Sequence, residues 1–403
     1  MTSFDSSPTL TAWRALLAVA VVFVMLATTG WTAVRHQPSH EPRDIALASW
    51  ARGRIAGRPL PDADAPPYRL AQFFATLTAA QRTALADRYP LVVGNLNGAP
   101  VTLRYHANRR ALVQARAVER RRMHDVRLSP DGRAEALRRM ERFGSMLAHG
   151  RHFLAFDPSG KGRAAEVFGD LDKAERISMV VPGVDTNLLT LERTGPKVDA
   201  APVGMAKSLY AAERAARPGT RTAVIAWADY TAPAGIGMDA ALGNLAARGA
   251  VRLNALVGAL PGTSKVSLFC HSYGSVLCGV AAEELPSRVT DIAVAGSPGM
   301  RVEHAAQLHT SAAVWAMRDR NDWIQDVPNM EVGGLGHGAD PVDRGFGARV
   351  VSAGDANGHS GYFVPGTESL RNFAAIGVGA YGSVTCASAD SACHKGISGA
   401  EGM

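Results

Sequence analysis

The fold is decided by residues 265–285, KVSLFCHSYGSVLCGVAAEEL. This stretch opens with a short apolar run and closes with an apolar segment of helical length, so the residues between them form a sharp strand-to-helix turn. Ser272 occupies the apex, where such a turn lifts the hydroxyl clear of a sheet and places it at a helix N-terminus. Backbone crowding requires small residues two positions before and after the serine. Gly274 satisfies this requirement, whereas Cys270 stands where glycine is usual. The pattern predicts Ser272 as a nucleophile.

Short apolar runs alternate with helical segments on both sides of this turn. Because strands that alternate with helices form βαβ units, the pattern predicts an α/β fold: a mostly parallel sheet with helices on both faces. Ligands of such sheets bind beyond the carboxyl ends of the strands, so chemistry is expected just after each run. The predicted strands are His152–Phe156, Ile177–Val181, Thr222–Trp227, Lys265–Phe269, Val289–Ala295, Ala312–Met317 and Arg349–Val351.

The sequence resembles the α/β-hydrolase superfamily, and within it a poorly characterised group with a G/C-H-S-Y-G nucleophile elbow and a helical N-terminal extension. The likeness covers about residues 90–375. It implies the α/β-hydrolase fold and a hydrolase with a Ser-acid-His triad, and it implies no substrate. The residues that carry it are Gly94–Pro100 with Arg104, Val181-Pro182-Gly183, Ala228-Asp229-Tyr230, the elbow Cys270–Gly274, Gly296–Gly299 and Gly358-His359-Ser360.

A serine hydroxyl needs an imidazole to take its proton, and the imidazole needs a carboxylate to orient it. In this fold the chain order is Ser, acid, His. The acid is expected after the run Ala312–Met317, and we favour Asp322 over Asp319, with Asp326 as a third candidate. The base is expected in the glycine-rich segment after Val351, where we favour His359 over His337.

A tetrahedral oxyanion needs two backbone N–H donors. One is expected from Tyr273, directly after the nucleophile, and the other from Val184, with Gly183 as the alternative. Four further side chains follow predicted strands or the oxyanion loop and are candidates for substrate binding: Asp185, Asp229, Tyr230 and Ser297. For Asp185, bracing of the loop is an equal alternative.

The predicted function is cleavage of an ester, thioester or amide through an acyl-enzyme on Ser272. The expected substrate is a small-molecule or lipid-like acyl compound. An acyltransferase with the same triad and a catalytically silent surface binding protein are the alternatives. No cofactor is expected. The sequence contains no C-x-x-C or H-E-x-x-H motif, so no metal site is indicated.

The composition is that of a globular protein. Of 403 residues, 47% are apolar and 20% charged, which excludes a disordered or wholly membrane-embedded chain. The net charge of +7 comes from residues 101–150, which hold twelve arginines and five acidic residues. Such a local excess of positive charge is typical of a solvated helix face. The alternative is a surface that contacts anionic lipid. No nucleic-acid partner is expected.

Residues 15–34 are twenty consecutive uncharged residues bracketed by Arg14 and Arg35. At about 1.5 Å per residue a helix of this length spans about 30 Å, so we predict a single-pass transmembrane anchor. A cleaved signal peptide is the rival, and the protein would then be secreted. The catalytic part is expected on the extracytoplasmic side. There Cys386 and Cys393 would suit a disulfide, while Cys270 and Cys278 would pair or remain buried thiols.

The remaining boundaries follow from changes in composition. The predicted organisation is a short tail at 1–14, the anchor at 15–34, a linker at 35–67, a helical Arg-rich extension or cap at 68–150, the catalytic domain at 151–380 and a flexible tail at 381–403. Within the extension, the dipeptide Asn97-Gly98 predicts a hairpin turn.

Overall fold

The computed structural model describes residues 41–387 and 392–396. The elements are numbered here in chain order, α-helices and β-strands separately. The N-terminal part contains α1 (Pro42–Ala51), β1 (Arg54–Ile55), β2 (Arg58–Pro59), α2 (Pro67–Ala75), α3 (Ala79–Arg88), α4 (Pro90–Val93), α5 (Val101–Arg122) and α6 (Pro130–Met146).

The rest of the described chain alternates strands and helices. Its elements are β3 (His152–Asp157), β4 (Arg163–Phe168), β5 (Arg176–Val181), α7 (Pro202–Ala216), β6 (Thr222–Ala228), α8 (Met238–Ala241), α9 (Asn244–Gly258), β7 (Lys265–His271), α10 (Tyr273–Ala281), β8 (Val289–Ala295), β9 (Ala313–Met317), β10 (Glu331–Val332), β11 (Leu335–Gly336), β12 (Arg349–Val350) and α11 (Glu368–Gly377).

Eight strands form one sheet in the order β12-β9-β8-β7-β5-β6-β4-β3. All neighbours pair in parallel except at one edge, where β4 is antiparallel to both β6 and β3. The predicted mostly parallel sheet is therefore confirmed, with β7 near its centre. Because the carboxyl ends of parallel strands meet at one edge, the segments after β5, β7, β8, β9 and β12 lie together.

Helices cover both faces of the sheet. On β5, Met179 belongs to an apolar cluster with Leu253 of α9 and Leu277 of α10. Its neighbour Val180 belongs to a second cluster with side chains of α7 and α11, among them Phe373. Successive residues of a strand point to opposite faces, so continuous apolar runs are needed where both faces are covered. This explains why the predicted strands are apolar throughout and do not alternate with polar residues.

The helices before β3 enclose a third apolar cluster. Trp50 of α1, Phe74 of α2 and Val93 of α4 are each almost fully buried in it, and Leu103 of α5 extends it. Where the sequence predicts a linker at 35–67, the structure has α1 and the pair β1–β2, and Leu60 joins the same cluster. The buried Trp50 side chain packs this segment against the helices. Its indole N–H also donates to the Pro61 carbonyl, which ties the end of the segment back to α1.

The prediction of a β-hairpin at Asn97-Gly98 is wrong. The two residues form a tight turn, but helices α4 and α5 flank it and not strands.

The strand β4 was missed, because its sequence RAAEVF carries a glutamate in the middle. That residue, Glu166, is buried and is neutralised by a bidentate ion pair with Arg151.

The predicted anchor at 15–34 lies outside the described residues. Within the part of the chain that the structure describes, none of the helices combines the length and the apolar character needed to span a bilayer. All four cysteines are paired, as Cys270–Cys278 and Cys386–Cys393.

Candidate active site

The turn between β7 and α10 holds Ser272 in a conformation that few residues adopt. Its φ is 56° and its ψ is −130°, a strained geometry that costs on the order of 1–3 kcal/mol. The Ser272 N–H donates to the Ala295 carbonyl at 3.0 Å, which ties the turn to β8. A Cβ atom at Gly274 would lie 2.2 Å from the Val181 carbonyl oxygen. The turn therefore excludes any larger residue at position 274.

The structure brings together Ser272, His359 and Asp322. The Oγ of Ser272 lies 2.9 Å from Nε2 of His359, and Nδ1 of the same ring lies 2.8 Å from Oδ1 of Asp322. Ser272 follows β7, Asp322 follows β9 and His359 lies in the loop after β12, so parallel topology alone places them at one sheet edge. This is the arrangement that activates a serine hydroxyl.

Asp322 is fully buried and is surrounded by hydrogen-bond donors. Burial alone would raise its pKa, but hydrogen bonds from His359, Tyr362 and the Ile324 N–H outweigh burial and hold the pKa below its usual range. The Tyr362 hydroxyl donates to Oδ2 at 2.5 Å, and the Ile324 N–H donates to Oδ1 at 3.0 Å. The carboxylate is therefore ionised and fixed in orientation. No motif in the sequence singles out Tyr362.

The imidazole of His359 is held by neighbours on two sides. His271 donates from Nε2 to the His359 carbonyl at 2.6 Å, and the Trp323 ring lies 4.7 Å from the His359 ring, centroid to centroid. Burial, with a smaller contribution from His359, lowers the pKa of His271 to about 4. His271 is therefore neutral at pH 7 and adds no positive charge beside the triad.

The loop after β5 passes directly over Ser272. A Cβ atom at Gly183 would lie 2.9 Å from Ser272 Oγ. Within the described residues, the N–H groups of Gly183 and Val184 make no hydrogen bond. The N–H of Tyr273 has no intrahelical partner, because Tyr273 is the first residue of α10. The donors predicted for an oxyanion thus stand beside the nucleophile.

Tyr230 fixes this loop from behind. Its hydroxyl lies 2.6 Å from the Pro182 carbonyl oxygen and 3.2 Å from the Gly183 carbonyl oxygen. In a trans peptide the C=O and the following N–H point in opposite directions. Turning these two carbonyls toward Tyr230 therefore turns the N–H groups of Gly183 and Val184 away from it. Tyr230 thus contacts the protein backbone, whereas the sequence suggested that it would bind substrate.

The alternative acids and base lie elsewhere. Asp319 accepts hydrogen bonds from the N–H groups of Gly358 and Asn321, at 2.8 and 3.1 Å, and so braces the loop that carries His359. Asp326 is exposed to solvent. His337 is buried, and its Nε2 donates to the Ala240 carbonyl at 2.7 Å.

A cleft of about 480 Å³ opens beside Ser272. Its walls come from segments 236–241, 323–330 and 335–337, with Val184 and Tyr273 at the Ser272 end, and we refer to it as the Ser272 cleft. Of the four side chains predicted to bind substrate, the structure brings none into the described lining of this cleft.

Those four side chains are engaged within the protein. Asp185 accepts from the Gly235 N–H at 2.8 Å, and Asp229 forms a bidentate ion pair with Arg252 at 2.6 and 2.7 Å. Ser297 lies 2.6 Å from Ser275, whose hydroxyl donates to the Ser272 carbonyl. Ser297 and Ser275 therefore support the elbow from below.

One group of described residues has the spacing of metal ligands. The ligand atoms of Cys386, Cys393 and His394 lie within 4.8 Å of one another. Both sulfur atoms are consumed by the disulfide, so the group offers no thiolate to a metal ion.

A mostly parallel eight-stranded sheet, a strand-serine-helix turn and a hydrogen-bonded Ser-His-Asp chain are the features expected of the α/β-hydrolase fold. A family model described as alpha/beta hydrolase matches residues 157–332. This match supports membership of the α/β-hydrolase superfamily, which the sequence resembles.

The chain is similar to uncharacterised mycobacterial proteins. One from Mycobacterium tuberculosis is 29% identical over 380 residues, which cover 80% of this chain and 56% of the relative. Another, from Mycobacterium bovis, is 35% identical over 161 residues, which cover 38% of this chain and 58% of the relative. The chain thus spans little more than half the length of these curated relatives.

Two solved structures are also similar. The 2,6-dihydroxy-pseudo-oxynicotine hydrolase is 12% identical, with 84% of this chain and 96% of that chain covered and a TM-score of 0.37. An α/β serine hydrolase without a lid from Xanthomonas campestris is 14% identical, with 58% and 96% covered and a TM-score of 0.32.

Proposed function

We propose that the protein is a serine hydrolase that cleaves an ester, thioester or amide through an acyl-enzyme on Ser272. The single observation that carries this proposal is the continuous hydrogen-bonded chain from Ser272 Oγ through the His359 ring to Asp322. In this hydrogen-bonded series, Ser272 has the His359 ring at hydrogen-bond distance as its base, and the buried Asp322 carboxylate lies on the other side of the ring.

In the first half-reaction His359 Nε2 takes the hydroxyl proton as Ser272 Oγ attacks the substrate carbonyl carbon. The carbonyl oxygen becomes an oxyanion and accepts from the N–H of Tyr273 and from Val184, with Gly183 as the alternative donor. The bond to the leaving group then breaks, and the leaving oxygen, sulfur or nitrogen takes the proton from His359.

In the second half-reaction a water molecule gives its proton to His359 and attacks the acyl-enzyme. The ester bond to Ser272 breaks, and the serine oxygen recovers the proton from the imidazole. Asp322 stays ionised throughout, because its three hydrogen bonds favour the carboxylate. It holds Nδ1 of His359 protonated, which leaves Nε2 free to accept.

The test is covalent labelling with a fluorophosphonate probe. We expect the protein to be labelled and Ser272→Ala to remove the label, while Ser145→Ala, an exposed serine on α6, keeps it. His359→Ala should lower turnover by several orders of magnitude, because triad members act as a unit that is worth on the order of 10⁶-fold. His337→Ala should cost far less. Labelling that survives Ser272→Ala would refute the proposal.

The same preparation separates hydrolysis from acyl transfer. With an ester substrate alone, a hydrolase releases the free acid. If a primary alcohol is added and the acyl group is then recovered mainly as a new ester, the acyltransferase alternative holds instead. If labelling and turnover both fail, the fold acts as a binding protein.

We also propose that the catalytic part works in an oxidising compartment, attached to a membrane through residues 15–34 or released after cleavage there. Two observations support this: the uncharged length of that segment and the pairing of all four cysteines. Protease protection of intact cells, followed by membrane fractionation, tests it. Protection from external protease together with recovery in the soluble fraction of the cell would refute it.

A further inference from the structure

The Ser272 cleft lies on one particular side of the nucleophile. Val184 and Tyr273, which carry the oxyanion donors, both line it, whereas His359 is not among the described residues that do. A leaving group must lie against His359 Nε2, because it takes its proton from that nitrogen. The carbonyl oxygen of the acyl group must lie against the oxyanion donors, and its carbonyl carbon against Ser272 Oγ. The cleft is therefore placed to hold the acyl part of a substrate.

The described lining of the cleft carries no charged side chain. The Tyr273 hydroxyl is engaged, because it donates to the Leu242 carbonyl at 2.9 Å and accepts from the Ala246 N–H at 3.2 Å, whereas Nδ1 of His337 is buried without a hydrogen-bond partner. His337 donates to a backbone carbonyl, and burial lowers its pKa, so the ring is neutral at pH 7. An acyl group that ends in a carboxylate would be desolvated here without a donor, because Nδ1 of the neutral His337 ring only accepts, and this is costly.

Large apolar side chains at the cleft remain exposed. Ile236 is 76% exposed, Met330 57%, Trp323 45% and Leu335 44%. Exposed apolar surface that is concentrated around a cleft marks a binding site for an apolar group. The volume of about 480 Å³ lies within the range of small-molecule sites, so the cleft accommodates more than an acetyl group.

The outer wall is the short hairpin β10–β11, which contributes Leu335 and follows Met330. Arg301 holds it in place: its guanidinium donates to the Glu331 carboxylate at 2.7 Å and to the Gly336 carbonyl at 3.1 Å. The hairpin also pairs with the end of α8 through a bridge between Leu242 and Leu335. The wall is thus built onto the fold, and its position limits the length of group that fits.

We propose that the Ser272 cleft is an acyl-chain site bounded by the hairpin β10–β11, and that the substrate is an ester or thioester of an uncharged, medium-length aliphatic acid. This proposal rests on the proposed function and adds the substrate class. Specificity resides in the acyl chain, whereas the alcohol or thiol part lies outside the cleft and is weakly selected.

The test compares p-nitrophenyl acetate, hexanoate and hemisuccinate with the intact protein. Each methylene buried in the cleft should raise kcat/KM about fourfold, which is about 0.8 kcal/mol. Hexanoate should thus exceed acetate by roughly 200-fold at most, from four added methylenes. The hemisuccinate, whose acyl chain ends in a carboxylate, should react more slowly than acetate. Changing the alcohol of the hexanoate from methanol to glycerol should alter kcat/KM far less than changing the acid does.

Two variants locate the site. Ala241→Phe places a ring in the cleft and should lower the ratio of hexanoate to acetate turnover by about 15-fold, since it displaces about two methylenes. Met330→Gln changes an exposed position at the start of the hairpin, so it should fold normally and lower the same ratio. Ala134→Phe, at an exposed alanine of α6, is the matched control and should leave the ratio unchanged.

The outcomes separate the two proposals. If none of the esters is hydrolysed, acetate included, the proposed function fails. If acetate is hydrolysed but hexanoate is no faster, or the hemisuccinate is preferred, the acyl-chain site is refuted while the hydrolase stands. If chain-length preference is present but unaffected by both cleft variants, the acyl group binds elsewhere and the assignment to this cleft is wrong.

Discussion

Replacing Tyr362 by phenylalanine should impair catalysis without removing any member of the triad. The Tyr362 hydroxyl gives Asp322 the shortest of its three hydrogen bonds, at 2.5 Å, and is buried with it. Removing a hydrogen bond to a charged group costs about 1.5–3 kcal/mol. Since about 1.4 kcal/mol is tenfold in rate, kcat should fall roughly 10- to 100-fold. KM should change little, because Tyr362 is not among the described residues that line the Ser272 cleft.

The pH dependence supplies a second readout. Hydrogen bonds hold the pKa of Asp322 below its usual range, so the carboxylate survives to low pH. Without the Tyr362 donor this pKa rises. Protonation of Asp322 then begins at higher pH, and the variant should lose kcat earlier than the wild type as the solution is acidified. The measurement is the kcat-pH profile of an activated ester for both proteins.

Tyr381→Phe is the matched control. Tyr381 donates to the buried Asp291 at 3.0 Å, in a second Tyr–Asp pair that shares no residue with the triad, although burial raises the pKa of Asp291. Both variants should lose stability in urea unfolding, by about 1.5–3 kcal/mol where the lost hydrogen bond is to a charged group and about 0.5–1.5 kcal/mol where it is not. Only Tyr362→Phe should lose kcat. Equal kcat in the two variants would refute the role assigned to Tyr362.

Three other changes test the structure. Tyr230→Phe removes the hydrogen bonds that hold the loop carrying Gly183, so it should lower kcat. The loss should be smaller than the 10²–10³-fold expected when an oxyanion donor is removed outright. Steady-state kinetics that separate kcat from KM test this, and an unchanged kcat contradicts it. Burial raises the pKa of Glu213 to about 7, so the free energy of unfolding of the wild type should fall as pH rises from 4.5 to 7. The decrease should be about 3 kcal/mol, at about 1.4 kcal/mol per pH unit. Glu213→Gln should abolish this pH dependence of stability in urea titrations. Removing the disulfide Cys270–Cys278 should cost about 2.5 kcal/mol of unfolding free energy from loop entropy; removing Cys386–Cys393 should cost nearly the same, and only the first should also lower kcat.

The sequence was sufficient to predict which side chains the sheet brings together. The triad residues follow three apolar runs, and the parallel arrangement of such runs forces their ends together whatever the loops between them do. This is why His359 could be preferred over His337, which follows the separate hairpin strand β11 and no strand of the eight-stranded sheet. Because both faces of the sheet are covered, its strands are continuous apolar runs, and the six predicted strands from His152 to Met317 match the structure to within one or two residues.

The supporting contacts could not be predicted, because they depend on loop conformation. Tyr362 lies only three positions after His359, yet its hydroxyl meets Asp322 across 40 positions of sequence. Tyr230 was correctly placed at the end of a strand, but the direction of its side chain, toward the backbone of the oxyanion loop, has no signal in one sequence. The same holds for Asp229, whose partner Arg252 comes from α9.

The departure of the elbow from the usual pattern has a structural explanation. A small residue is required two positions before the nucleophile, and Cys270 meets this need only if its sulfur is directed away from the crowded turn. The disulfide to Cys278, one and a half turns into α10, does this and buries the side chain to 1% exposure. The bond also joins the strand before Ser272 to the helix after it, so it restrains the strained backbone of the serine from both ends. A glycine at 270 would relieve the crowding but would leave that restraint to hydrogen bonds alone. We therefore expect Cys270→Gly with Cys278→Ala to bind substrate with an ordinary KM but to turn over more slowly.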